Sequence, residues 1–173
     1  MFPGQLNSFG VGNSGTGNLG FGNAGSGNAG FGNSGLLNTG FGNAGSINTG
    51  GFNGNNLNTG FLNSGEVNTG FLNSGHINTG FLNAGNVNTG IGNATVAGEV
   101  GLTATDSSGF FNTGYGVSGF GNAADESSYG HGVSGFGNTA VGTAFEVGVS
   151  SGFFNWGTAN SGLFSLSKLA IKS

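Results

Sequence analysis

This sequence has no cysteine, a single proline and only two basic residues, Lys168 and Lys172. The absence of cysteine excludes disulfides, zinc–thiolate sites and a thiolate nucleophile. Two lysines and a net charge of −4 provide no basic patch, which disfavours binding to nucleic acids. No apolar run reaches the ~18 residues of a transmembrane helix, and residues 1–10 have neither the basic nor the apolar region of a signal peptide. Export would therefore require another route or a segment outside this sequence.

Glycine and phenylalanine are abundant instead, with 42 and 17 of the 173 residues. A collagen-like chain needs proline as well as a glycine at each third position, so a single proline excludes that class. Disordered chains are usually poor in aromatic residues. The phenylalanine content therefore favours a folded chain.

The most regular feature is an asparagine at each fifth position from Asn13 to Asn93, without a gap. A glycine usually follows two residues later, so the unit is x-[G/L/I/V]-N-[S/T/A]-G. Asn-x-Gly is typical of turns, because the amide bonds to nearby backbone and glycine adopts positive φ at no steric cost. A turn in each pentad is too frequent for α-helices, which lose about 1 kcal/mol per glycine, and for ordinary strands. The repeat predicts an all-β, single-stranded β-solenoid whose short sides stack as β-bridges.

The asparagines are expected at the corners of the solenoid, where their amides would support the turns. The residues assigned to corner turns are Asn33, Asn43, Asn63, Asn68, Asn73, Asn78, Asn83 and Asn88.

A ten-residue period lies over the pentads and predicts which side chains are inside. Glu66 and His76 occupy its middle position, where burial without a partner would be costly, so this position is expected to face water. The phenylalanine that opens each decad and the aliphatic residue six positions later are expected to fill the interior. The predicted core consists of Phe21, Phe31, Phe41, Phe61, Phe71, Phe81, Leu37, Ile47, Leu57, Val67, Ile77 and Val87.

The ten-residue alternation also limits the size of one turn of the solenoid, because it requires an even number of corners. Four corners give a square turn of about 20 residues, and two corners give a flat turn of about 10. Three corners would place phenylalanine and polar residues in one column. We expect four corners, since a square turn has room inside for phenylalanine.

Four segments are expected along the chain. Residues 1–10 form an N-terminal cap, and 11–95 form the regular pentapeptide-repeat solenoid. The register fails after residue 95, so 96–162 are assigned to degenerate turns with loops. Residues 163–173 lack glycine, are apolar and contain both lysines, which is typical of the cap or tail that a solenoid needs on its last turn.

Two short motifs match the patterns of catalytic or nucleotide sites. GVGNSG at 10–15 fits G-x-G-x-x-G, but a dinucleotide site would need a strand before it and a helix after it. GVSSG at 148–152 fits the nucleophile elbow around Ser150, which would need a strand–turn–helix setting with histidine and acidic partners. The first match is attributed to the repeat itself, and the second to chance in a chain so rich in glycine and serine.

A third group, Asp125, Glu126 and His131, lies close together in the sequence and could in principle bind a metal ion. No calcium-loop or zinc spacing is present, so a solvated loop is the favoured interpretation. The sequence therefore predicts no catalytic, cofactor-binding or metal-binding residue.

The tandem x-N-x-G-x pentapeptides, together with SGFFNTG and SGFFNWGTANSGLF, resemble the major polymorphic tandem repeat region of mycobacterial PPE proteins over about residues 7–164. The resemblance implies an exported or cell-surface mycobacterial protein that uses type VII secretion. It also implies a β-solenoid that meets host or envelope components. The helical domain with Pro-Pro-Glu that begins members of that family is not in this sequence.

The chain is more distantly similar to the pentapeptide-repeat proteins that imitate DNA. Those proteins place a large apolar residue at the centre of each pentad. Here the matching positions of the first pentads are Gly12, Gly17, Gly22 and Gly27, and only six acidic residues are present. DNA mimicry is therefore poorly supported.

The sequence leads to a non-enzymatic structural or interaction module, secreted or at the cell surface, with no cofactor. Its expected partner is a protein, lipid or glycan of the envelope or host, without nucleic acid and without a transmembrane helix. An ice- or crystal-binding solenoid is an alternative, and so is an inert scaffold. The ice-binding alternative rests on a ten-residue series of threonines, namely Thr39, Thr49, Thr59, Thr69, Thr79 and Thr89.

Overall fold

The computed structural model of the chain describes residues 7–95, 106–124, 132–141 and 149–164, and within these ranges it contains strands, bridges and bends but no helix. The chain divides into two compact units, Met1–Ile77 (unit 1) and Asn78–Ser173 (unit 2). Both are all-β, parallel, single-stranded solenoids, as the pentad repeat predicts. The predicted caps at 1–10 and 163–173 lie mostly outside the described residues.

Unit 1 consists of short strands that alternate between two sheets. In chain order its strands are β1 (Phe9–Val11), β2 (Ser14–Thr16), β3 (Leu19–Phe21), β4 (Ala24–Ser26), β5 (Ala29–Phe31), β6 (Ser34–Leu36), β7 (Thr39–Phe41), β8 (Ala44–Ser46), β9 (Thr49–Gly51), β10 (Thr59–Phe61), β11 (Ser64–Glu66), β12 (Thr69–Phe71) and β13 (Ser74–His76). The first sheet has the order β1-β3-β5-β7-β9-β10-β12. The second sheet contains β2-β4-β6-β8, and single bridges through Asn56 lead on to β11 and β13.

Each turn of unit 1 contains ten residues. Phe9 pairs with Leu19 in the first sheet, and Ser14 pairs with Ala24 in the second. The prediction of a four-cornered turn of about 20 residues is therefore wrong. The turn is flat, with two sheets, because no phenylalanine has to fit inside it.

Unit 2 keeps the two-sheet turn but lengthens it at three places. Its strands are β14 (Thr79–Phe81), β15 (Ala84–Asn86), β16 (Asn88–Ile91), β17 (Ser107–Phe110), β18 (Val117–Phe120), β19 (Ala123–Ala124), β20 (Gly132–Phe136), β21 (Thr139–Ala140), β22 (Val149–Phe153), β23 (Trp156–Gly157) and β24 (Asn160–Leu163). The first sheet runs β14-β16-β17-β18-β20-β22-β24. The second contains β15, then bridges through Ala94 and Thr113, then β19-β21-β23. Each longer turn takes its extra residues between a second-sheet position and the next first-sheet strand.

The bend that closes each half-turn precedes the asparagine. Leu37, Ile47 and Leu57 occupy it in unit 1 with φ near +60°, a conformation that costs a non-glycine residue about 1–2 kcal/mol. The glycine after each asparagine is not in the bend but in the middle of the following strand. At Gly30, a Cβ atom would lie 1.8 Å from the carbonyl oxygen of Gly40 in the next turn. This glycine is therefore required by the close approach of successive turns.

The predicted apolar interior is wrong. Phe21, Phe31, Phe41, Phe61 and Phe81 are exposed, and so are Leu37, Ile47, Leu57, Val67 and Ile77. Phe71 and Val87 are half-buried. The interior instead contains the asparagine side chains, including Asn33, Asn43, Asn63, Asn68, Asn73, Asn78, Asn83 and Asn88. Each lies between a bend and the following strand, except Asn88, which begins β16. In the ten-residue turn the interior is occupied by amides, each of which bonds to the backbone, as Asn28 does to Ala24 and Gly35.

Candidate interaction surface

The buried asparagines form hydrogen-bonded ladders that join neighbouring turns. The Nδ2 of Asn28 donates to the carbonyl oxygens of Ala24 and Gly35, both at 3.0 Å. Its Oδ1 accepts from the backbone N–H of Asn38 at 2.9 Å. A buried amide is costly unless it is bonded in this way. These hydrogen bonds fix the backbone of neighbouring turns, and with it the positions from which the outward side chains project.

In unit 2 one of the interior columns is no longer made of asparagine alone. Strand register places Ser107, Val117, Val133, Ser150 and Asn160 in the column that begins with Asn88. The two valines are buried against alanines of the second sheet, and together these residues form an apolar cluster. Within the described residues, the Oδ1 of Asn88 and the Oγ of Ser150 have no hydrogen-bond partner. Unit 2 thus mixes amide and apolar packing in its interior.

The candidate catalytic motifs do not form a reactive site in the described structure. Ser150 is fully buried in β22, so its hydroxyl cannot reach a substrate as the nucleophile-elbow pattern would require. GVGNSG lies in β1 and β2 and is not followed by a helix within the described residues. Asp125, Glu126 and His131 lie outside the described residues. In the described part of the chain, no three His, Asp or Glu side chains come together as a metal site.

The first sheet of unit 1 turns two columns of side chains outward. In each three-residue strand the first and third residues point outward, and a Cβ on the central glycine would point toward the next turn. The first residues form a column that we call the threonine column, because threonine occupies it from β7 onward. Its members are Phe9, Leu19, Ala29, Thr39, Thr49, Thr59 and Thr69. The third residues form the phenylalanine column, which is Val11, Phe21, Phe31, Phe41, Gly51, Phe61 and Phe71.

The exposed rings of the phenylalanine column support one another. Phe21 and Phe31 are stacked, with centroids 5.1 Å apart and planes at 13°. Such a pair stabilises by about 0.5–1.5 kcal/mol beyond the area that it buries. At Gly51 the column has no ring of its own, and Phe41 and Phe61 approach across it to a centroid distance of 5.8 Å. A Cβ at Gly51 would lie 2.7 Å from the Phe41 ring, so this glycine lets the stack continue.

Unit 2 has a corresponding column on its first sheet, in spite of its longer turns. Phe120 and Phe136 pair in register and stack at 5.0 Å with planes at 4°. The second phenylalanine of the SGFF segments adds another ring row beside it. Phe154, the second phenylalanine of one SGFF segment, stacks on Phe164 of the following SGLF segment at 5.5 Å.

Apart from the exposed Leu36 of β6, the second sheet of unit 1 presents small or polar side chains. Its outward column of first residues contains Ser14, Ala24, Ser34, Ala44, Ser64 and Ser74, all exposed. The hydroxyls of Thr16 and Ser26 are 3.0 Å apart. Glu66 and His76 are exposed and form a 3.7 Å contact between carboxylate and imidazole, which confirms that this position faces water.

The threonines are also outward. Thr39, Thr49, Thr59 and Thr69 are exposed first residues of consecutive first-sheet strands. Thr79 and Thr89 have the same position in β14 and β16 of unit 2. These threonines therefore lie on a sheet and not at the bends.

Comparison with known proteins gives one match. A family model described as pentapeptide repeats (8 copies) matches residues 4–46, 17–56, 29–66, 37–75 and 57–95, which together span more than half of the chain. No curated protein and no solved structure matches it. The described part of the chain contains no helix with the length and hydropathy needed to cross a bilayer.

Proposed function

The chain belongs to the pentapeptide-repeat family, and we propose that it is a non-catalytic interaction module of an exported or cell-surface protein. In this proposal the solenoid presents a repeated surface to a component of the envelope or of a host cell. The mycobacterial setting and type VII secretion are part of the proposal. They rest on the resemblance of the pentads and the SGFFN segments to PPE repeat regions.

The observation that carries the proposal is the repetition of outward side chains at one-turn spacing. Ser64 and Ser74 stand in register on the second sheet of unit 1, with Glu66 and His76 beside them. Turns of a solenoid lie about 4.8 Å apart, so the same group recurs at that interval. A regular array of this kind suits an extended or polymeric partner, because many weak contacts add along its length.

The sparse distribution of reactive groups supports the non-catalytic part of the proposal. Catalytic groups need neighbours that adjust their pKa. In unit 1 the sequence from residue 7 to residue 77 contains one carboxylate, Glu66, and one histidine, His76, and both are exposed. The interior amides are already engaged with the backbone. With few reactive groups on its surface, unit 1 is suited to recognition through surface shape and through its exposed hydroxyl groups.

We assign the contact to the second sheet of unit 1, where the outward side chains other than Leu36 are small or polar. Hydroxyl-rich, nearly uncharged surfaces can bond to glycans or polar polymer chains without a strong charge preference. Binding through this sheet should therefore depend only weakly on salt. It should depend strongly on keeping the surface free of bulky side chains.

Binding of the purified chain to isolated mycobacterial envelope fractions and to host-cell surfaces tests the proposal. Ser64→Arg and Thr59→Arg form a matched pair, since both replace an exposed first residue of a strand, on the second and first sheet respectively. We expect Ser64→Arg to weaken saturable binding about tenfold, which is ~1.4 kcal/mol, and Thr59→Arg to leave it nearly unchanged. The absence of saturable binding to either material would contradict the proposal.

A screen against ester and nucleotide substrates tests the non-catalytic part separately. We expect no turnover above the uncatalysed rate. Turnover that disappears in Ser150→Ala would overturn this part of the proposal, because it would show that the buried hydroxyl becomes reactive.

Ice or crystal binding is the second candidate, and the observation in its favour is the exposed register of Thr39, Thr49, Thr59 and Thr69. The neighbouring phenylalanine column makes this surface less flat than a sheet of threonines alone. A thermal-hysteresis measurement decides between the two functions. Hysteresis that is lost in Thr59→Tyr would favour ice binding over the envelope module.

A further inference from the structure

We propose that the first sheet of unit 1 docks onto the same surface of a second copy of this chain. The docking surface, called the apolar patch below, consists of Phe9, Val11, Leu19, Phe21, Phe31 and Phe41. This inference goes beyond the proposed function, because that function is assigned to the second sheet and this one to the first.

The apolar patch is where both outward columns of the first sheet are apolar. In β1 and β3 the first and third residues are all large and hydrophobic, and in β5 the first residue is Ala29. The six patch residues are 42% to 77% exposed. From β7 onward the threonine column contains threonine, so the patch ends there on one side.

The exposed area of the patch is large enough for a dimer. A phenylalanine offers about 150–250 Å², so the patch at the stated exposure leaves about 650 Å² of apolar surface open. The largest apolar patch on a typical monomer is about 300–600 Å². Two copies together would bury about 1,300 Å², which lies within the range of about 1,200–2,000 Å² for specific interfaces.

Charge does not oppose self-association on this sheet. The sequence from residue 7 to residue 65 contains no Asp, Glu, Lys, Arg or His. Glu66 and His76 follow, and both belong to the second sheet. Two identical patches can therefore meet without like-charge repulsion. The same absence removes the basic residues that attract an anionic bilayer, which favours a protein partner over a membrane.

The order of the two columns makes the first sheet complementary to itself. A twofold axis parallel to the solenoid axis of unit 1, between two facing copies, would place the phenylalanine column of one copy over the threonine column of the other. Phe31 then meets Ala29 of the same turn in the second copy, and Phe41 meets Thr39. In β5 and β7 large side chains thus face small ones, which favours close packing. In β1 and β3 the same axis brings Phe9 against Val11 and Leu19 against Phe21, so apolar side chains meet there.

Sedimentation equilibrium of the full chain tests the dimer. We expect the mass to approach twice 16.8 kDa at micromolar concentration. Phe31→Lys should shift it to the monomer mass, because the ammonium group would be buried at the centre of the interface. Ser34→Lys is the matched control, since it lies on the second sheet and is exposed, and it should remain dimeric. Unchanged far-UV circular dichroism would show that both variants are folded.

Cross-linking tests which sheets face each other in the dimer. Because the chain has no cysteine of its own, a single-cysteine variant reacts only at the introduced residue. Ala29→Cys should be captured as a dimer by a bismaleimide that spans the ~10 Å between packed sheets. Ala24→Cys, exposed on the second sheet, should not. A monomeric unmodified chain, or a dimer that survives Phe31→Lys, would overturn the proposal. So would a monomer that binds uncharged phosphatidylcholine vesicles and loses this binding in Phe31→Lys, since that result assigns the patch to a membrane.

Discussion

At the scale of single residues, Asn28 shows how the interior is stabilised. Its amide bonds to Ala24, Gly35 and Asn38. Asn28→Leu keeps the volume but leaves the buried N–H of Asn38 without its partner, which costs about 1–3 kcal/mol, and removes two further hydrogen bonds of about 1 kcal/mol each. We expect a loss of about 3 kcal/mol or more in the free energy of unfolding, measured by denaturant titration.

The control for Asn28→Leu is Phe31→Ala in the same turn. Phe31 is 60% exposed and stacks on Phe21, so its truncation should cost only about 1 kcal/mol in a monomeric sample. Equal losses at both positions would contradict the assignment of asparagine to the interior.

In contrast to the bonded amide of Asn28, the buried hydroxyl of Ser150 has no hydrogen-bond partner among the described residues. Removing such a group also removes its desolvation cost. We expect Ser150→Ala to leave the melting temperature unchanged or to raise it, with a gain of up to about 1 kcal/mol. Ser107→Ala is the comparison, because the Ser107 hydroxyl donates to the carbonyl of Gly114 at 2.9 Å, and its loss should destabilise. A clear destabilisation by Ser150→Ala would show that the hydroxyl is satisfied.

The sequence identifies the interior residue if the regularity of a repeated position is given more weight than its hydrophobicity. The asparagine position is unbroken from Asn13 to Asn93, whereas the phenylalanine position is interrupted at Gly51. Phenylalanine was assigned to the interior because burial of an aromatic is the usual outcome. That rule fails here because the interior of the ten-residue turn is occupied by hydrogen-bonded asparagine amides. The hydrophobicity of the repeat alone therefore does not predict which side chains fill the interior of the solenoid.

At the scale of elements, the strands are held together by glycines whose Cβ would collide with the next turn. Gly30 and Gly32 are a matched pair in one turn. A Cβ at Gly30 would lie 1.8 Å from a backbone oxygen, whereas nothing lies within 4 Å of one at Gly32. We expect Gly30→Ala to cost more than about 3 kcal/mol, and Gly32→Ala about 1 kcal/mol for its positive φ. Thermal unfolding of both variants measures the difference, and similar costs would contradict the turn spacing.

The pentad predicts the strands and the type of solenoid, but not the length of its turn. Multiples of ten residues all preserve the alternation of the decad. The choice between them depended on what fills the interior. Once Phe31 is outside and Asn28 inside, a ten-residue turn follows directly. The outward threonine and phenylalanine columns also become predictable at that point, because strand residues alternate in direction.

At the scale of the whole molecule, each turn within a unit contacts its neighbours in the ladder, so perturbations should remain local. In unit 1, Asn28→Leu should speed amide exchange in β3, β5 and β7 by about tenfold or more and leave β10 nearly unaffected. Hydrogen exchange followed by mass spectrometry of peptides gives the profile. A uniform increase from β1 to β12 would show that unit 1 opens as one cooperative body.

The ladder also has a consequence for the chemical ageing of a chain so rich in asparagine. Deamidation begins when the backbone nitrogen of the following residue attacks the asparagine side-chain carbonyl, and it is fastest at Asn-Gly pairs such as Asn53-Gly54. In unit 1 the nitrogen of Gly54 donates to the carbonyl oxygen of Asn63 at 2.8 Å, and the Oδ1 of Asn53 accepts from the N–H of Asn63. The nucleophile and its target are thus each held in place by the next turn. The folded solenoid therefore preserves its own amides, and the chain becomes vulnerable to this reaction only where a turn opens.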